Sequence, residues 1–194
     1  MSKITCFISY SHDSKNIEKF KKIENLVSNS NYYINYSERV DKSCFSDETI
    51  WDYLHNRIAG SSCTILLLTE DLFTYNKQKI NYKINSFINS GWIYNEISAS
   101  LRDWKDNRIN GIVCVVEDNL ANQIKILNGT IYGYDLPEIL KVNINYIIFV
   151  TYSEFTRNHY NYLTQAYENR RKQIESNGSK FNIKYDLHNK KNWL

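Results

Sequence analysis

Apolar and polar positions along the chain follow two alternating regimes. Ile4-Thr5-Cys6-Phe7-Ile8-Ser9-Tyr10 is a β-favouring run and predicts a buried central strand. Ser11-His12-Asp13-Ser14 follows as a turn and cap, and Ile17, Phe20, Ile23, Leu26 and Val27 then recur at helical spacing. Asn29-Ser30-Asn31 closes that helix. Tyr32 to Tyr36 predicts a second, short strand, and Ser37 to Asp47 a polar loop with Glu38, Arg39, Asp41 and Lys42. Ser46 or Asp47 caps a helix bearing Ile50, Trp51, Leu54 and Ile58, which ends at Ala59-Gly60-Ser61-Ser62. Cys63 to Thr69 and Gly111 to Val116 are continuous apolar runs, the pattern of strands covered on both faces. Between them Ser90, as N-cap, and Gly91 lead into a helix from Trp92 with Ile93, Ile97, Leu101 and Trp104 on its apolar face. A fifth strand holds Tyr146-Ile147-Ile148-Phe149-Val150, and a final helix carries Tyr162, Leu163, Ala166, Tyr167 and Ile174. The stretch between the fourth and fifth strands reads as irregular.

Strands alternating with helices predict an α/β fold, a five-stranded parallel sheet flanked by helices on both faces and joined by right-handed crossovers. One domain is expected over residues 1–176, with an insertion at about 71–90 that is too long for a plain connection. That insertion reads as a short helix plus loop, or a lid. Residues 177–194 form a C-terminal arm, where Phe181, Ile183 and Tyr185 alternate with polar residues as in one short strand.

Composition narrows the function classes. A chain of 194 residues is long enough to bury a sizeable core. Its formal net charge of +3 is too mild to point to nucleic acid, and no apolar run approaches the roughly 20 residues of a membrane span. With neither a signal-peptide nor a transit-peptide pattern at the start, a cytoplasmic protein is expected. Cys6, Cys44, Cys63 and Cys114 have no metal-ligand or redox spacing, and His12, His55, His159 and His188 are scattered, so no metal site is expected. Cys6, Cys63 and Cys114 lie in or beside apolar runs and read as buried; Cys44, in the polar loop, is the one candidate for reactivity.

Candidate chemistry belongs at the carboxyl ends of the strands, where open parallel sheets bind ligands. Those ends read Ser9-Tyr10-Ser11-His12, Tyr36-Ser37-Glu38 and Thr69-Glu70. No phosphate-cradling glycine loop follows the first strand, which excludes the dinucleotide fingerprint and the P-loop. The acidic cluster of a phospho-accepting receiver is missing too. Ser9, Ser11 and Cys44 lack an evident His and orienting acid in sequence. What stands out is Trp92 and Glu96, four apart and so one turn above the other, on the flank of the helix's core stripe. A carboxylate there, at the mouth of the fold, is placed to meet a ligand; an ordinary first-turn Glu beside a core Trp is the alternative.

Phe7-Ile8-Ser9-Tyr10-Ser11 resembles the first-strand box of Toll/interleukin-1 receptor (TIR) domains. Residues 50–68, with the Ser61-Ser62 break, resemble that family's second helix and third strand, and Trp92-x-x-x-Glu96 its Trp-x-x-x-Glu helix. Tyr36-Ser37-Glu38-Arg39, Asn95-Glu96-Ile97-Ser98, Asn110-Gly111-Ile112-Val113 and Leu136-Pro137-Glu138-Ile139 look most like the TIR-like ThsB subunits of bacterial Thoeris anti-phage systems. The resemblance implies a flavodoxin-like sheet and, in enzymatic members, cleavage of NAD at its nicotinamide–ribose bond, with NAD as substrate and no cofactor. It places Glu96 on the catalytic glutamate and Trp92 on the aromatic before it. Ser9, Tyr10 and Ser11 fall on the loop at the nicotinamide end, and Tyr36 and Ser37 open the loop over the cleft. It further implies self-association through residues 37–47 and a separate effector reached through a cyclic ADP-ribose-type product. Neither nucleic acid nor membrane is an expected partner. Two features depart from the family: Asp13 stands one place early, with Ser14 in the usual acidic position, and the interval from Asp71 to Asn89 is long. Two further readings stand beside the enzyme: a non-catalytic TIR-like interaction module, and an unrelated flavodoxin-like enzyme or small-ligand binder.

Overall fold

The computed structural model describes residues 3–11, 14–30, 33–37, 52–53, 56–70, 92–102, 109–124, 126–127, 130–131 and 136–176. In chain order these contain β1 (Ile4–Ser9), α1 (Ile17–Ser28), β2 (Tyr33–Ser37), β3 (Cys63–Leu68), α2 (Trp92–Ser100), β4 (Gly111–Val116) and α3 (Asp118–Ile124). Then come β5 (Ile126–Leu127), β6 (Thr130–Ile131), α4 (Glu138–Lys141), β7 (Ile148–Thr151) and α5 (Tyr152–Glu175). Residues 52–53 and 56–59 are helical, as the pattern before β3 predicts. Five strands form one sheet in the order β2-β1-β3-β4-β7, every neighbouring pair parallel, and β5 and β6 form a separate antiparallel pair.

The sheet separates two cores. Ile4, Cys6, Ile8 and Tyr10 share one face with Cys63, Ile65, Leu67, Val113 and Val115, packed against Phe20, Ile23 and Val27 of α1 and Phe155, Leu163 and Ala166 of α5. Leu66, Leu68, Ile112, Cys114 and Val116 face the other way, under Ile97 of α2, Leu101, Leu120 and Ile124 of α3, and Ile139 and Leu140 of α4. Every residue of β3 and β4 is buried, so their mostly apolar sequence has a direct cause: both of their faces are covered. Gly111 is fixed by packing. A Cβ there would stand 2.2 Å from the Ala166 carbonyl oxygen, so only glycine lets α5 approach the start of β4 this closely.

Three sequence expectations need correction. The fifth strand of the sheet begins at Ile148, and residues 142–146 form turns, with Tyr146 donating from its hydroxyl to the Asn110 carbonyl at 2.7 Å. The last helix begins at Tyr152, ten residues before the first position assigned to it, and runs 24 residues with non-helical dihedrals at Asn158. Its start is fixed twice: Thr151 Oγ1 accepts from the Glu154 N–H at 3.2 Å, and Asp118 accepts from the Ser153 N–H at 3.0 Å and from its hydroxyl at 2.6 Å. The stretch read as irregular holds α3, the β5–β6 pair and α4. The insertion at 71–90, the arm at 177–194, residues 38–47 with Cys44, and Ser90 and Gly91 lie outside the described residues.

Candidate active site

The sheet order reverses between β1 and β3, because the chain moves from β1 outward to β2 and then crosses back to β3. In open parallel sheets the carboxyl ends of the strands at such a reversal are where ligands bind. Ser9 ends β1, pairs in register with Leu66 of β3, and faces α2. Its hydroxyl donates to Glu96 Oε2 at 2.5 Å, with Ser9 1% and Glu96 4% exposed. A carboxylate taken this far out of water needs hydrogen-bond donors, and a short O–H···O⁻ bond is the strong, charge-assisted kind.

This geometry refines the reading from spacing alone. Glu96, read as lying on the flank of the core stripe, is turned onto the sheet: residues 96–100 are all buried and β1 supplies a hydroxyl to receive the carboxylate. Tyr10 parts company with its neighbours. Its ring stacks on Phe20 with centroids 4.0 Å apart and an interplanar angle of 9°, on the α1 side of the sheet, away from Glu96. Side chains alternate across a strand, so Ser9 and Tyr10 cannot line the same face. Ser11 is half-buried beyond the end of β1. Tyr36 and Ser37 close β2, with their backbones in register with Phe7 and Ile8 of β1. Trp92 is the first residue of α2. The side chains of Tyr36, Ser37 and Trp92 lie outside the described residues.

Further polar bonds tie the sheet to its helices. Glu117, just after β4, pairs with Lys19 of α1 and accepts the Glu70 N–H at 2.8 Å, tying the end of β3 to both neighbours. Asn16 stands at the N-cap of α1 without capping it; its amide instead donates to Thr69 Oγ1 at 3.4 Å. At the opposite end of the sheet Thr64 Oγ1 and Ser100 Oγ lie 2.7 Å apart, and Asn110 Nδ2 donates to Thr64 Oγ1 at 3.1 Å and to Ser61 Oγ at 2.7 Å.

The cysteines among the described residues are buried. Burial raises the thiol pKa of Cys6 and Cys114 and pushes that of Cys63 up to about 12, so all three are protonated at neutral pH and behave as small apolar groups. Burial lowers the pKa of His159 on α5. His159 lines an open groove of about 680 Å³ with Lys21, Lys22 and Asn25 of α1, which holds none of the residues around Glu96. Among the described residues no three His, Cys, Asp or Glu stand together as metal ligands, and no helix is long and apolar enough to cross a membrane.

A comparison with curated proteins finds no match. The family model described as Thoeris protein ThsB, TIR-like domain, matches residues 7–92, from the middle of β1 to the first residue of α2. The match contains the first-strand box, the helix and strand flanking Ser61-Ser62, and the Trp that opens α2, and it stops one helical turn before Glu96. Over residues 7–92, this chain is similar to the TIR-like domain of Thoeris ThsB proteins.

Proposed function

We propose that the protein is a cytoplasmic, NAD-consuming TIR enzyme of a Thoeris anti-phage system, built on the flavodoxin-like arrangement. It breaks the nicotinamide–ribose bond and releases a cyclic ADP-ribose-type signal to a partner effector. The observation that carries this reading is the buried Ser9–Glu96 pair at the carboxyl end of β1, beside the point where the strand order reverses. The chemistry needs little more than one such carboxylate. Nicotinamide is cationic in NAD and leaves neutral, taking the electron pair of the broken C–N bond. The ribose becomes oxocarbenium-like, as in glycoside cleavage, and a fixed negative charge stabilises it. Ser9 holds the carboxylate in one orientation before substrate arrives. A hydroxyl or ring nitrogen of the same ADP-ribose then attacks the ribose carbon; a hydroxyl gives up its proton to solvent, and the product is cyclic. Self-association through residues 37–47 would cover these strand ends and exclude competing water.

Two facts favour the alternative, a non-catalytic TIR-like module. Glu96 is only 4% exposed, and the family match ends at Trp92. The two readings separate on incubating the protein with NAD at high concentration, with and without extract of phage-infected cells. The enzyme reading expects free nicotinamide, together with a product whose mass is that of NAD less nicotinamide. Intact NAD under every condition would leave the module.

A further inference from the structure

Thr64 is a hydroxyl in the middle of an apolar strand, and nothing about the β3 core calls for it. Each residue around it is buried, Thr64 itself is 0% exposed, and its neighbours in sequence are Cys63 and Ile65. Burying a hydroxyl without a partner is costly, and this one is bonded to the helix that carries Glu96. We infer that Thr64 and Ser100 are positioning residues, forming the second point of a two-point latch that sets the height of Glu96 on the sheet. The inference rests on the enzymatic reading for its consequence in catalysis, though not for the latch itself.

The hydrogen-bond directions follow from proton counting. Ser100 Oγ gives its one proton to the Glu96 carbonyl at 2.7 Å, so Thr64 must be the donor in the 2.7 Å contact between the two hydroxyls. Thr64 Oγ1 in turn accepts from Asn110 Nδ2 at 3.1 Å. The second proton of that amide goes to Ser61 Oγ at 2.7 Å, and the Ser61 hydroxyl donates to the Ile58 carbonyl at 2.8 Å. The Asn110 N–H closes the end of the helix by donating to the Ser100 carbonyl at 2.8 Å. The chain of donors therefore runs one way, from Asn110 through Thr64 and Ser100 to the backbone of Glu96.

The spacing of the two points matches on both surfaces. Ser9 pairs with Leu66, and Thr64 lies two residues earlier on β3, about 6.6 Å toward the amino end of the sheet. Glu96 and Ser100 are four residues apart on α2, a rise of about 6 Å. A helix running opposite to the strands can thus seat Glu96 on Ser9 and Ser100 on Thr64 together, and a shift along the sheet breaks both contacts. An all-apolar seat would resist such a shift less, because packing alone has no direction.

The test compares Thr64→Val, which keeps the shape and removes the hydroxyl, with Thr64→Ser, which restores it, and with Ser100→Ala. For the full-length protein acting on NAD, Thr64→Val and Ser100→Ala should each lower kcat by about tenfold to a hundredfold, as a misplacement near 1 Å does. KM should stay within about twofold. Thr64→Ser should stay near wild type, and the Thr64→Val/Ser100→Ala double variant should lose no more than either single one. Unchanged kcat in folded Thr64→Val, or an equal loss in Thr64→Ser, would overturn the inference. The latch is also read without NAD, from the side-chain carboxyl ¹³C resonance of Glu96 in Glu-labelled protein. That resonance should move in Thr64→Val and Ser100→Ala and stay in Thr64→Ser. If the wild type never releases nicotinamide, the enzymatic reading fails alone; a resonance unmoved in all three variants removes the latch.

Discussion

Ser9→Ala removes a single oxygen from the site, and its consequence can be worked out from the geometry. The hydroxyl donates to Glu96 Oε2 at 2.5 Å where both residues are within 4% of full burial. A hydrogen bond to a charged group contributes about 1.5–3 kcal/mol. The carboxylate stays buried in the variant, so most of that value is lost from stability, and the midpoint of thermal unfolding should fall by roughly 3–12 °C. The orientation of the carboxylate toward substrate is lost as well. If the full bond energy acts in the transition state, nicotinamide release falls by about 10- to 150-fold. The assay is nicotinamide release at saturating NAD alongside urea unfolding of the same preparations. Combining Ser9→Ala with Glu96→Gln should add nothing to the loss of activity, since the hydroxyl acts through the carboxylate. A folded Ser9→Ala protein with wild-type turnover and an unchanged urea midpoint would refute the reasoning, because neither the charge nor its placement would then depend on the bond.

Two other consequences are independent of NAD. Gly111→Ala places a Cβ 2.2 Å from the Ala166 carbonyl oxygen and 2.5 Å from its carbon, so α5 or β4 must move; a loss of about 1–3 kcal/mol or more in urea unfolding is expected, and an unchanged midpoint would show that the helix backs away freely. Cys6, Cys63 and Cys114 are buried with raised pKa values, so in the native protein all three should resist iodoacetamide at a pH of about 8 and react once unfolded; rapid native labelling of any of them would contradict the packing.

What could be read in the sequence follows the lengths over which a pattern repeats. β3 and β4 are mostly apolar runs, and Ile93, Ile97 and Leu101 recur at helical spacing along and just past α2, so these elements and the parallel α/β architecture were legible. Glu96 was legible as a carboxylate on α2, but its partner was not, because the hydroxyl that receives it lies 87 residues away on β1. Tyr10 was separable from Ser9 by strand alternation alone. α5 announced its start through Thr151 and Glu154, three apart in the manner of a capping box, yet only Phe155 is buried in its first turn and the apolar rhythm begins later. The β5–β6 pair had Asn128-Gly129 between its strands, a strong hairpin signal, but two-residue strands leave no alternation to count. Asn110 stood in a stretch that resembles ThsB subunits, but its link to Thr64 and Ser100 was not legible, since only the packing of α2 on β3 brings the three together.

The central claim is that one buried carboxylate on α2 does the chemistry, and Glu96→Gln tests it most directly. Gln keeps the size of the side chain and an oxygen to accept from Ser9, but it removes the charge that opposes the ribose cation. With circular dichroism and the urea midpoint confirming the fold, nicotinamide release from NAD by the triggered protein should fall by about a hundredfold or more. Release at the wild-type rate from folded Glu96→Gln protein would contradict the account.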